Sequence, residues 1–157
     1  MQLRLKVNGE VRELDLEDNA LLLDVLRGPL GLTGTKRSCD VQVCGSCTVL
    51  VDGNPVSSCC FLAQDALDSE VLTIEGFAGE PLFRQLAEAF ARNNAFQCGF
   101  CAPGFMMTCK PLLEEGRLTS REDVRRELSG NICRCTGYRA ILESVDEVAG
   151  VATVRPS

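Results

Sequence analysis

Leu3, Leu5 and Val7 alternate with Gln2, Arg4 and Lys6, the period of a half-buried strand. Asn8-Gly9 follows, a preferred pair for a tight hairpin turn. Val11, Leu14 and Leu16 extend a second strand with an imperfect period. A short helix is predicted over about 20–27, with Leu22, Leu23 and Leu26 inward and Asp18 or Asn19 as its cap. Thr48–Val51 reads as a strand, 52–55 as a turn, Val56-Ser57 as the start of the return, and 71–74 as the last strand. The expectation for this half is a small mixed sheet with a helix across it.

Residues 75–81 read as a linker, after which the period changes. Leu82, Leu86, Ala89 and Phe90 share one helical face. Pro103 suits the first position of a second helix carrying Phe105, Cys109, Leu112 and Leu113. Ser120 to Asp123 is a capping box opening a third, with Val124 and Leu128 inward. Ile141, Val145 and Val148 mark a fourth. The chain is thus predicted as α+β, with a strand-rich domain over 1–76 and an all-α four-helix domain over 77–157.

With 157 residues and 45% hydrophobic content, the chain suits one globular domain or two small ones sharing an interface. No apolar run is long enough to cross a bilayer, and no export or lipidation signal is visible, so the cytoplasm is expected. All of the net charge of −6 falls in residues 1–76, six basic against twelve acidic. Such a half repels nucleic acid. It either steers docking to a basic partner surface or simply keeps the surface soluble.

Histidine is absent, which removes Rieske-type clusters, Cys–His zinc fingers, histidine-ligated haem and the commonest general base. What the chain does have is ten cysteines. Disulfides are disfavoured by the expected compartment and by the close-set grouping. Cys39-x4-Cys44-x2-Cys47, with Cys59 after eleven intervening residues, has the spacing of plant-type [2Fe–2S] ferredoxins. A cluster with four thiolates carries excess negative charge, so a loop of backbone N–H groups around the sulfurs is favourable, and Gly45-Ser46 let that backbone come close. A four-thiolate zinc site is the competing reading. The second group, Cys98-x2-Cys101 and Cys133-x-Cys135, is compatible with zinc or iron–sulfur. Cys101 precedes a helix N-terminus, which is expected to lower its pKa. Cys60 and Cys109 are left over and are expected to be buried small hydrophobes, as are Met106 and Met107.

The stretch Gly34-Thr35-Lys36, Cys39-Asp40, Cys44-Gly45-Ser46-Cys47-Thr48-Val49 and Ser58-Cys59 resembles the N-terminal ferredoxin domain of the xanthine dehydrogenase family of molybdenum hydroxylases. Gln97-Cys98-Gly99-Phe100-Cys101-Ala102-Pro103-Gly104 and Asn131-Ile132-Cys133-Arg134-Cys135-Thr136-Gly137-Tyr138 resemble that family's second cluster motif. The resemblance implies a β-grasp domain and a four-helix domain, each with one [2Fe–2S] cluster. It implies ligands Cys39, Cys44, Cys47 and Cys59 for one, and Cys98, Cys101, Cys133 and Cys135 for the other. In such enzymes a large subunit binds a molybdenum–pterin cofactor and hydroxylates substrate with oxygen from water. Electrons leave through the helical-domain cluster, then the ferredoxin-domain cluster, then usually FAD on a medium subunit. By the same resemblance Gln97 and Cys135 lie against the molybdopterin, and a separate small chain fits a heterotrimer or a dimer of heterotrimers.

Two positions depart from the family pattern. Gln42 and Ser38 stand where the family usually has Gly. If position 42 takes a positive φ, Gln costs on the order of 1 kcal/mol there. Beside the enzyme-subunit reading stand a free two-cluster electron carrier and a zinc-bound interaction module. By the same resemblance the substrate pocket lies on another chain, so this sequence does not name the substrate.

Overall fold

The computed structural model describes residues 2–152. Met1 and residues 153–157, the end of the second expected domain, lie outside the described residues. Strand β1 (Gln2–Val7) turns at Asn8-Gly9 into β2 (Glu10–Asp15), and the two pair antiparallel from Gln2↔Asp15 to Val7↔Glu10. Helix α1 (Leu22–Arg27) follows, then β3 (Thr48–Val51), β4 (Asn54–Ser57), a 3₁₀ turn over Ala63–Ala66, and β5 (Glu70–Leu72). The sheet order is β2-β1-β5-β3-β4, with β1 and β5 parallel and the other neighbours antiparallel. This is a mixed β-grasp sheet with α1 packed over one face.

Alternation decides the first core. Leu3, Leu5 and Val7 on β1 meet Leu22, Val25 and Leu26 of α1, together with Val49, Val51 and Val71. Strand β2 lies at the sheet edge, so the imperfect period of Val11 and Leu14 has a plain cause: Val11 is exposed and only Leu14 packs inward. The expected cap at Asp18 or Asn19 is not used. Leu21 precedes α1 in extended conformation with no side-chain cap, held by a bridge to Leu62.

All four residues of β3 are buried. Val49 and Val51 face the first core, whereas Leu50 faces the other way and joins the core of the helical half. One strand therefore serves two cores.

The expected strand 71–74 stops at Leu72, and the expected linker is partly helical. Thr73 starts a short helix α2 (Ile74–Phe77) that drives Phe77 into the helical core. Four residues are too few to show a helical period, and Phe77 pulls them into shape by burial. Helices α3 (Pro81–Arg92), α4 (Ala102–Glu114), α5 (Arg121–Glu127) and α6 (Arg139–Ala149) follow. Leu86 and Phe90, Phe105 and Met107, Val124, and Ile141 and Val145 meet in one core, as their spacing predicts. Helix α4 begins one residue before Pro103, so the proline sits at the second helical position. Lys110 of α4 is buried between Glu80 (2.5 Å) and Glu114 (2.6 Å), with its ammonium 5.0 Å above the Phe77 ring. No helix among the described residues is long and apolar enough to cross a membrane.

Candidate metal centres

The loop before β3 coils tightly. Asp40, Gln42 and Gly45 all have positive φ, at 55°, 58° and 69°. This turning aims successive N–H groups at one sulfur: Val43 and Cys44 each donate to Cys39 Sγ at 3.4 Å. The Cys39 thiol is held down at about 6, chiefly by the Val41 N–H and then by those of Val43 and Cys44. Cys47 and Cys59 are buried together against Leu23, and burial pushes the Cys47 thiol up to about 11. Ser58 fixes their approach, its hydroxyl donating to Cys47 O at 2.7 Å.

The second group forms between helix ends. Cys98 and Cys135 are exposed with their sulfurs 3.5 Å apart. Cys101 and Cys133 lie beneath, buried and facing one another. Burial works against the charged form of Cys133, but the Thr136 hydroxyl, donating to its sulfur at 3.1 Å, and nearby N–H groups outweigh it and lower its pKa. The Cys133 N–H donates to Tyr138 Oη at 3.1 Å. Gln97 Nε2 donates to Cys135 O at 3.1 Å. The helix N-terminus was expected to lower the Cys101 pKa, yet burial pushes that thiol up to about 12. The desolvation cost of a thiolate there exceeds what the α4 N-terminus returns.

The eight sulfurs stand in facing pairs: Cys39 with Cys44, Cys47 with Cys59, Cys98 with Cys135, and Cys101 with Cys133. Two such pairs in each set match the two thiolates per metal of a binuclear centre.

Two family profiles match: a 2Fe-2S iron-sulfur cluster binding domain over residues 5–74, and a [2Fe-2S] binding domain over residues 73–146. The chain is 45% identical to the 6-hydroxypseudooxynicotine dehydrogenase complex subunit beta of Paenarthrobacter nicotinovorans, over 91% of this chain and 90% of that one. It is 42% identical to the nicotinate dehydrogenase small FeS subunit of Eubacterium barkeri, over 91% of each. A chain of quinoline 2-oxidoreductase from Pseudomonas putida 86 superposes with a TM-score of 0.89 at 41% identity, covering 96% of this chain and 94% of that chain. The protein belongs to the small iron–sulfur subunits of the molybdenum hydroxylases.

This small subunit therefore carries two [2Fe–2S] clusters and transfers electrons within an oxidoreductase complex. The two leftover cysteines part company. Cys109 is fully buried in α4 as expected, its thiol pushed to about 12 by burial. Cys60 is a correction: it is exposed, because β4 ends at Ser57 and Cys60 sits in the following turn rather than on the far face of a strand. Met106 and Met107 are core, as expected.

A junction between the two loops was not legible in the sequence. The Ile132 N–H donates to Cys44 O at 2.9 Å, and Asn131 Nδ2 to Gly45 O at 3.4 Å. Gly104 of α4 packs against the same loop. A Cβ there would fall 2.3 Å from Gly45 O and 3.0 Å from Ser46 Cα.

Proposed function

We propose that Cys39, Cys44, Cys47 and Cys59 hold one [2Fe–2S] cluster and that Cys98, Cys101, Cys133 and Cys135 hold the other, with 1–76 and 77–157 as the two cluster domains. The observation that carries this reading is the facing of the eight sulfurs in four pairs. When bound, each cluster accepts and releases one electron. The residues of the chain set the route. Gln97 and Cys135 stand at the surface beside Cys98, where a molybdopterin held by a large partner subunit would lie against them. Cys133 and Ile132 lead from there to the Cys44 carbonyl, so a hydrogen bond from the residue beside Cys133 reaches a ligand of the other loop directly. Val41 and Val43, 63% and 58% exposed, flank the first loop on the side we assign to a medium subunit carrying FAD.

Exposed apolar side chains favour an assembled subunit over a free carrier. Phe96, Phe100, Ile132 and Tyr138 are each more than a third exposed, and they flank the second set of cysteines. An apolar rim around the exposed ligands supports a covering partner. The arrangement we assign is a heterotrimer or a dimer of heterotrimers. The cytoplasm suits a chain whose ten cysteines form no disulfide, since a reducing compartment disfavours such bonds.

Anaerobic purification with iron, sulfide and zinc analysis, followed by EPR after dithionite reduction, tests the reading. About four iron and four sulfide per chain with two distinct signals are expected, together with molybdenum and flavin proteins copurifying at fixed stoichiometry. Zinc in place of iron, without sulfide, overturns it.

A further inference from the structure

We propose that Cys60 is a reserve ligand of the first cluster, placed to take over from Cys59. The proposal rests on the ligand assignment above. Its ground is distance: Cys60 Sγ lies 3.7 Å from Cys59 Sγ. Two thiolates on one tetrahedral metal with metal–sulfur bonds of about 2.3 Å stand about 3.8 Å apart. A metal held by Cys59 would therefore lie within bonding reach of the Cys60 sulfur.

Its surroundings favour the same reading. Adjacent residues of a strand would point to opposite faces. These two lie in a turn, with the Cys60 N–H bonded to Ser57 O at 3.0 Å. Cys60 Sγ also meets the carbonyl of Asp40 at 3.7 Å, so it rests over the ligand loop rather than away from it. Cys59 is buried beside Cys47 and Leu23, whereas Cys60 is exposed. The turn itself is anchored by Ser58, through Oγ to Cys47 O and through its carbonyl to the Leu23 N–H at 3.0 Å. Exchange therefore asks for side-chain rotation and a small shift of one turn, with the neighbouring ligand Cys47 staying in place.

The exchange balances without oxidation or reduction. The Cys60 thiol gives its proton to solvent and its sulfur forms the metal–sulfur bond. The Cys59–metal bond breaks, and the released sulfur takes up a proton. What the device supplies is retention of the cluster when the Cys59 sulfur is lost to oxidation or substitution.

The test uses the full chain in three forms, Cys59→Ala, Cys60→Ala and Cys59→Ala/Cys60→Ala, purified anaerobically. The EPR signal of the second cluster reports in each that the chain has folded. Cys59→Ala is expected to keep about four iron per chain, with the first signal shifted in g-values and the second unchanged. The double variant is expected to fall to half that iron and lose the first signal alone. Cys60→Ala should match the parent. Cys60 should be alkylated by iodoacetamide in the parent and protected in Cys59→Ala. If Cys59→Ala alone loses the first signal while the second persists, the reserve role is overturned and the ligand assignment stands. If the double variant keeps both signals unaltered, Cys59 is not a ligand and both readings fall.

Discussion

The backbone N–H of Ile132 donates to the carbonyl of Cys44 at 2.9 Å, so a residue adjoining one set of cysteines is bonded to a residue within the other. The contact is possible because Gly104 brings α4 against Gly45 and Ser46 with no Cβ between them. An alanine at 104 would have to displace backbone, not a flexible side chain. Gly104→Ala is therefore expected to destabilise the chain by about 1–3 kcal/mol, lengthen the Cys44–Ile132 bond and slow electron exchange between the clusters while both remain bound. Denaturant titration gives the first quantity and freeze-quench EPR the last. Unchanged stability and unchanged exchange would show that the loops tolerate a wider gap.

Gln42 has φ +58°, in the left-handed region that glycine adopts without strain. It lies next to Val43, whose N–H reaches Cys39 Sγ. Gln42→Gly is expected to stabilise the chain by on the order of 1 kcal/mol, relaxing this strain. It should also move the first cluster's midpoint potential through altered N–H···S geometry, leaving the second unchanged. Identical midpoints in parent and variant would sink the link between this residue and the potential.

These two cases mark where the sequence was legible. Strict alternation in β1 and the helical spacing of Leu86 and Phe90 each have a local period, and both elements formed as read. The cysteine spacing was equally local, and the eight sulfurs stand in two sets. What escaped reading was decided by tertiary burial. Helix α2 exists because Phe77 is drawn into the second core. Cys60 is exposed because β4 ends three residues earlier. The thiol of Cys101 is raised because burial outweighs a helix end, a balance that no sequence pattern encodes. The Cys44–Ile132 bond links residues far apart in the chain, so no window along it could show the pairing.

Ser120 caps α5 by accepting the Asp123 N–H at 3.1 Å, and Asp123 in turn accepts the hydroxyls of Ser120 and Thr119 and a bond from Arg126. Ser120, Thr119 and Arg126, in that order, hold the Asp123 carboxyl well below its ordinary value. Glu147, which joins α6 to Arg92 and Asn93 of the α3 end, is lowered by the same kind of donors. A carboxyl depressed by folding contributes fully above its unfolded pKa of about 4 and loses that contribution as pH falls through the folded value. Stability should therefore decline below about pH 4, and Asp123→Asn should flatten that limb. Ser120→Ala should cost about 1 kcal/mol at neutral pH. Thermal unfolding against pH checks all three, and an acid limb of equal slope in Asp123→Asn would exclude the carboxylate as a source.

Gln97 donates its amide to the carbonyl of Cys135 at the exposed end of the second set. Replacing it by Glu removes that donor and adds a negative charge beside the centre that must accept an electron. Reduction adds a further negative charge, so the oxidised state is favoured and the second cluster's midpoint should fall. At solvent-like dielectric a unit charge some 4 Å away is worth about 1 kcal/mol, on the order of 40 mV for one electron. The first cluster should keep its potential, because screening over distance removes the effect. An EPR-monitored redox titration of Gln97→Glu reads both signals in one sample. A fall confined to the second signal, with Gln97→Ala showing little change, assigns the effect to charge. A shift in both signals would mean that the substitution disturbs the junction at Ile132 and not the local field.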